Sequence, residues 1–340
     1  MKPFVSLVLA SLVGLSLSAK TLSDMDGKKV TLPDTTDRVF GSSPPMNYLL
    51  YTLNPNKMIG LNFKARNANN SADERFLNKK FLTLPVIGSF HGGGQSINLE
   101  SLMAYKPQLV LVWQDDMLVQ TVAKEIEKTK IPTFKIPFRE VGDMPRAFRL
   151  AGDAIGESKR GEELASYSQK IINEVHQSVS GAKPTRYYYA EGLDGLSSEC
   201  DQSFHVEALN FAGGENVHKC LQSGLLGLEK ISFETLLAYD PDVIIVQNRS
   251  VYFDLINDPM WKNLRAVKSG RIHLVPVQPF NWIDRPPSFM RVIGIQWLAS
   301  VFHPKTYRVN LTQRTKEFYD LFLHVKLSDQ QAQNLYKGNQ

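Results

Sequence analysis

The residues best equipped for chemistry in this chain are a histidine opening a glycine run, His91-Gly92-Gly93-Gly94, two arginines, Arg249 and Arg285, and three large aromatics, Trp113, Tyr252 and Trp282. A neutral imidazole ligates borderline metals such as nickel or cobalt, a guanidinium fork matches anionic oxygens, and indole or phenol rings stack on flat organic groups. None of them sits in a catalytic pattern. The sequence contains no GxSxG, HExxH or GxxxxGK[ST] motif and no GxGxxG after a strand, so hydrolase, NTPase and dinucleotide readings have no anchor. The His91 loop has the look of an esterase oxyanion loop, but without a nucleophile elbow that reading is weak. The chemistry on offer is recognition rather than turnover.

A repeat positions these residues. Residues 97–113 read INLESLMAYKPQLVLVW and residues 231–247 read ISFETLLAYDPDVIIVQ, with Ile, Glu, Leu, Ala, Tyr, Pro and Val recurring at aligned places. In each copy a helix N-cap type, Asn98 or Ser232, precedes a first-turn glutamate, Glu100 or Glu234, and a proline, Pro107 or Pro241, stops the helix. A run of branched apolar residues follows, as a strand buried on both faces requires. The distance between copies is too long for a solenoid and suits one α/β lobe, so the expected fold is α/β, with two similar lobes and mainly parallel central sheets. Such sheets bind ligands at the carboxyl ends of their strands. Trp113, Gln114 and Asp115 fall just past the first central strand, Arg249 and Tyr252 just past the second, and Trp282 and Arg285 in the loop after the last strand. With His91 they are the candidate lining of a ligand cleft between the lobes. Core packing of the aromatics and an Arg285–Asp284 salt bridge stay open as plainer roles.

Strands and helices alternate through the rest of the chain. Asp26-Gly27 marks the turn of a hairpin over 22–32, strands are expected at 39–41, 58–61, 85–89 and 133–136, and helices at 46–53 and 118–128. Over 143–180, apolar Phe148, Ala151, Ile155, Leu164, Tyr167, Ile171 and Val175 keep helical spacing, with Gly181 as the stop, which gives one long helix or two abutting ones. This segment reads as one long rigid α-helix joining the lobes, unlike a flexible Gly/Ser linker. The expected boundaries are a leader over 1–19, a first lobe over 20–142, the connector over 143–181 and a second lobe over 182–340. In the second lobe, strands are expected at 186–190 and 271–275 and helices at 203–212, about 289–301 and about 316–336.

Lys2, an apolar run over 4–17 and the small residues Ser16, Ser18 and Ala19 fit a cleavable secretory signal, too short to span a bilayer comfortably. No cysteine lies beside that site, so a lipid anchor is not expected and the mature chain is placed in the periplasm. Apolar residues at 43% suffice for two cores, and a net charge of +5 without a long basic run gives nucleic-acid binding no support. Cys200 and Cys220 can close a disulfide in an oxidising compartment; as a metal pair they lack CxxC spacing.

Together the two repeat copies, the AGGENV segment at 212–217 and the ending PFNWIDRPPSFMRVIGIQWLA at 279–299 resemble a known family. It is that of the periplasmic substrate-binding proteins of ABC importers for iron-siderophores, cobalamin, haem and related metal chelates (class III, TroA/BtuF-like). The likeness runs over roughly residues 40–304 and is nearest to the CeuE-type proteins of iron-siderophore and nickel-chelate uptake. The RPPS…GIQWLA ending is also similar to members that take oxyanions such as molybdate. The resemblance implies a monomeric binding protein, not an enzyme, with little hinge motion and no permanently bound cofactor. Its expected ligand is a nickel or cobalt chelate or an iron-siderophore, with a molybdate-type oxyanion or cobalamin as alternatives. Its expected partner is the permease dimer of an inner-membrane ABC importer, with Glu100 and Glu234 docking one on each half; a helix-dipole role for both glutamates stays open. Siderophore-binding members often carry an arginine after the central strand of each lobe. The second-lobe position is Arg249 but the first is Asp115, which favours a less charged chelate, with His91 completing the coordination of a borderline metal. A secreted α/β enzyme with an unrecognised site is the reading of another class.

Overall fold

The computed structural model describes residues 19–338 apart from 34, 65, 68–69, 72–74, 91–96, 114–116 and 221–227. The expected leader up to Ser18 and the candidate ligand residues His91, Gln114 and Asp115 lie outside the described residues.

Two parallel sheets carry the fold. In the first, Leu109–Val112 runs between Val39–Gly41 and Thr133–Lys135, with Val110 opposite both Phe40 and Thr133. Single parallel bridges, Val39 to Met58 and Leu61 to Val86, extend it on the Val39 side. In the second, the order is Gly214–Asn216, Thr185–Ala190, Val243–Val246, Ile272–Leu274, all parallel. The repeat strand is therefore internal in each sheet, and its unbroken apolar run has a reason. Leu109 and Leu111 enter one core while Val110 and Val112 enter another, and Val243 and Ile245 part from Ile244 and Val246 in the same way.

The repeat helices start where their caps predict. Asn98 Oδ1 accepts from the Ser101 amide at 3.0 Å ahead of Leu99–Ala104, and Ser232 Oγ accepts from the Thr235 amide at 3.1 Å ahead of Phe233–Tyr239. The hairpin pairs Ala19–Ser23 with Lys29–Pro33; Asp24 Oδ1 accepts from the amides of Asp26 and Lys28, and Gly27 takes φ 85° at the turn.

The connector is two helices, Met144–Ile155 and Ser158–Val179, because Gly156 adopts the left-handed conformation at φ 78° and ends the first. They cross through glycines: a Cβ on Gly152 would lie 2.9 Å from the Gly161 Cα. The second, 22 residues and about 33 Å long, is the helix that joins the lobes. Its buried Leu164, Ile171 and Val175 share one apolar core with Leu109 and Phe148 on one side and Tyr187 and Ile293 on the other, while each sheet keeps a smaller core on its outer face. Lobes packed through a common core have little freedom to hinge.

Two expected helices are subdivided. The one at 316–336 is Leu311–Phe318, a wide turn over Tyr319–Leu323, and Asp329–Tyr336; His324 at φ 57° breaks it, and Ser328 with Gln331 caps the last piece. The one at 203–212 is a tight turn, Phe204–Val206, followed by Glu207–Phe211. Among the described residues no helix is long and apolar enough to cross a membrane.

Candidate ligand-binding site

At the carboxyl edge of the first sheet the chain turns from Gly41 into the helix Pro44–Leu53. Pro44 and Pro45 set the first turn and carry no amide hydrogen, so the Met46 amide is the first donor inside this helix. Ser43, the N-cap, is 1% exposed and its hydroxyl has no hydrogen-bond partner. A helix N-terminus with a spare hydroxyl favours negative charge. Beside it, Asn62 Nδ2 donates to the carbonyls of Gly41 and Gly88, so its oxygen accepts from Asn47 Nδ2 at 2.6 Å and Asn47 Oδ1 is left buried without a partner. Pro44, Asn47, Tyr48 and Asn62 line a 30 Å³ hollow there.

At the carboxyl edge of the second sheet, Glu191 follows Thr185–Ala190 with its side chain fully buried. Arg285 donates to it from Nε at 2.5 Å and from Nη2 at 3.3 Å, and Nη2 also donates to Glu199, equally buried. Ser203 Oγ donates to the other Glu199 oxygen at 2.8 Å. Burial pushes the Glu191 carboxyl above the usual range against the lowering pull of Arg285. The Arg285 backbone stands at φ 57°, a left-handed conformation unusual for a long side chain. Its guanidinium remains 30% exposed, and Nη1 has no partner among the described residues.

Behind this group, buried Asp284 meets His205 Nδ1 at 2.5 Å and Arg291 Nη2 at 3.4 Å. Arg291, itself buried, also donates to the carbonyls of Ile283 and Phe204 and, across the lobes, to that of Arg139 at 2.7 Å. Tyr48 stacks on Phe280 with centroids 3.8 Å apart, so the helix after the first sheet touches the loop after the last strand of the second. A 540 Å³ cavity opens between the lobes, with Arg139 and Glu140 on one wall and Ser203, Phe204 and Phe211 on the other.

The candidate residues do not all converge. Trp113 is in the core, its Nε1 donating to the Phe138 carbonyl at 3.0 Å, and Trp282 is fully buried with Nε1 donating to the Gln278 carbonyl. With each indole N–H satisfied internally, these two pack inside the chain, the plainer of the roles that the sequence left open for them. Arg249 and Tyr252 turn towards the C-terminal helix. Arg249 Nη1 donates to the Gly338 carbonyl at 2.8 Å and lies over the Phe253 ring, and Tyr252 shares a hollow with Trp297 and Tyr336. Arg285 pairs with Glu191 and Glu199 rather than with Asp284. The sequence places Ser43 and Glu191 in loops at the carboxyl ends of strands, 42–47 and 191–196, without singling either out, and gives no role to Glu199; the further signal for Glu191 was an acid immediately after a strand of aromatics, RYYYA. Cys200 and Cys220 form a disulfide, and with Asp201 they are the one group of three potential metal donors among the described residues, so its two sulfurs are already bonded to each other.

Residues 77–279 match the family described as "Periplasmic binding protein". The chain belongs to this family. It is 24% identical to the molybdate-binding protein MolA of Haemophilus influenzae over 96% of its own length and 97% of that protein. It is similar to the solved ABC transporter solute binding protein of Sulfurospirillum deleyianum, at 38% identity and TM-score 0.87, covering 93% of this chain and 99% of that one. It shares the fold of Helicobacter pylori CeuE solved as a Ni-His complex, at 14% identity and TM-score 0.69 over 93% and 98% of the two chains. These relatives are solute-binding proteins of ABC importers rather than enzymes. This periplasmic binding protein carries Glu100 and Glu234 exposed in the first turns of its two repeat helices. The Glu234 carboxylate is held below the usual range by its own backbone amide first and by the Ser232 hydroxyl second.

Proposed function

We propose that this binding protein captures a small oxyanion of the molybdate class in the cleft between its lobes and delivers it to the permease of an ABC importer. The observation that carries this reading ahead of the metal chelate expected from sequence is the N-terminus of Pro44–Leu53. There a buried, unpartnered Ser43 hydroxyl and a helix dipole offer donors to an anion at the carboxyl edge of the sheet. The arginines agree with a small ligand. Arg249 is engaged by Gly338 and Arg285 by two carboxylates, so they do not form a converging pair for a bulky polyanionic ferric complex. The full-length likeness to a molybdate-binding protein supports the same ligand class. On this reading residues 1–19 are a cleaved signal, the mature chain works as a monomer, and Glu100 and Glu234 meet the two halves of the permease.

Isothermal titration with molybdate, tungstate, sulfate and nickel, the last with and without free histidine, tests the ligand. Saturable binding of molybdate and tungstate is expected, with about tenfold loss in Ser43→Ala, as for removal of one hydrogen bond to a charged group. Binding of nickel with histidine, abolished by His91→Ala, together with no heat from any oxyanion would return the assignment to a metal chelate.

A further inference from the structure

We infer that Glu191 and Glu199 are a positioning pair that holds the Arg285 guanidinium in one orientation with its Nη1 edge open, and that this edge is the second lobe's contact for the ligand; the latter half rests on the oxyanion reading above. A loop arginine ordinarily surrenders much of its affinity for an anion to the entropy of ordering a long side chain. In this protein two buried carboxylates supply that ordering. Of the five N–H donors of a guanidinium, Nε and both of Nη2 are committed to the two carboxylates, and the two on Nη1 are not.

The carboxylates are fixed in their turn. Glu191 emerges from the strand with its amide bonded to the Ser197 carbonyl at 2.8 Å, and Glu199 accepts from Ser203 Oγ beside the disulfide at Cys200. The left-handed backbone at Arg285 aims the side chain back onto them. The loop that carries it also carries Phe280, stacked on Tyr48 of the helix that Ser43 caps, which ties this loop to the first lobe. With two acids behind one arginine, the cluster has no surplus positive charge when both are ionised. Recognition then depends on where the Nη1 hydrogens point, and affinity should follow the reach of the acid side chains more than their charge.

That distinction is measurable. Titration with sodium molybdate is run on the wild type, Arg285→Lys, Glu199→Asp, Glu199→Gln and Ser203→Ala, with a thermal melt of each. Glu199→Asp keeps the charge but falls short of Nη2, and Arg285→Lys loses the fork; each should weaken molybdate about tenfold or more. Glu199→Gln keeps an acceptor in reach and should stay within about threefold of the wild type. Ser203→Ala, which preserves every charge should the Asp variant fail to fold, should weaken binding by about threefold to tenfold. Equal molybdate affinity across all variants overturns the inference and leaves the oxyanion reading intact, as does loss in the Gln variant as large as in the Asp variant. Absence of molybdate and tungstate binding to the wild type overturns the oxyanion reading instead. The positioning pair is then decided by the Arg285 Nη2–H resonances: slow hydrogen exchange that accelerates in Glu199→Asp sustains it, and equal exchange in both proteins overturns it.

Discussion

His273, on the edge strand Ile272–Leu274, has its imidazole pushed down to about 4, by burial first and by the Arg271 guanidinium second. The folded chain therefore keeps it neutral while the unfolded chain protonates it near 6.5. Stability from this group is complete above that pH and falls as the pH drops from there to about 4, by up to about 3 kcal/mol. Thermal melts of wild type and His273→Gln between pH 7 and pH 4 should diverge on the acid side, the variant losing less; parallel curves would show that the imidazole titrates freely. At this scale the sequence disclosed kinds of chemistry and not their partners. An arginine before two prolines was recognisable as a candidate, but its two glutamates stand far back along the chain, where no spacing rule connects them to it.

The helices and strands were more legible, because caps, prolines and apolar alternation act over a few neighbouring residues. Asn98, Ser232 and the double-faced strands after them are examples. The crossing of Met144–Ile155 and Ser158–Val179 was not visible that way, since periodicity identifies an apolar face but not the element it meets. It has a sharp consequence. A Cβ on Gly161 would stand 2.6 Å from the Phe148 carbonyl oxygen, a backbone atom that cannot swing aside. Gly161→Ala should thus destabilise by about 1–3 kcal/mol in urea unfolding although alanine is the better helix former. Gly142→Ala, where nothing lies within 4 Å, serves as the control, and an unchanged midpoint in Gly161→Ala would mean the helices separate at no cost.

For the molecule as a whole, two features invite a test. The disulfide closes a separation of 20 residues, so Cys200→Ser with Cys220→Ser should lower unfolding free energy by about 3 kcal/mol, read by denaturant titration. An undiminished midpoint would show that the loop is held by its hydrogen bonds alone. On the proposed function the paired glutamates meet the permease. Glu100→Lys with Glu234→Lys should abolish ABC-dependent uptake while molybdate titration of the isolated protein stays unchanged, because both side chains lie on exposed helix starts. Affinity falling together with uptake would instead place them in the ligand site.

The duplicated segment by itself determined the class of fold, since a capped helix, a proline stop and a doubly buried strand are local patterns that repeat only when a lobe repeats; with the segments at 212–217 and 279–299 it carried the family resemblance. It also determined that each repeat strand would be internal, because an unbroken apolar run is stable only between two cores. Which candidate side chains stay accessible was decided by tertiary structure alone. Trp113 and Trp282 were drawn into the core because their indole N–H groups found carbonyls there, and Arg285 was left with one open edge because Glu191 and Glu199, distant in the chain, took the other. Such partnerships depend on the packing of whole lobes, and no pattern along the sequence encodes them.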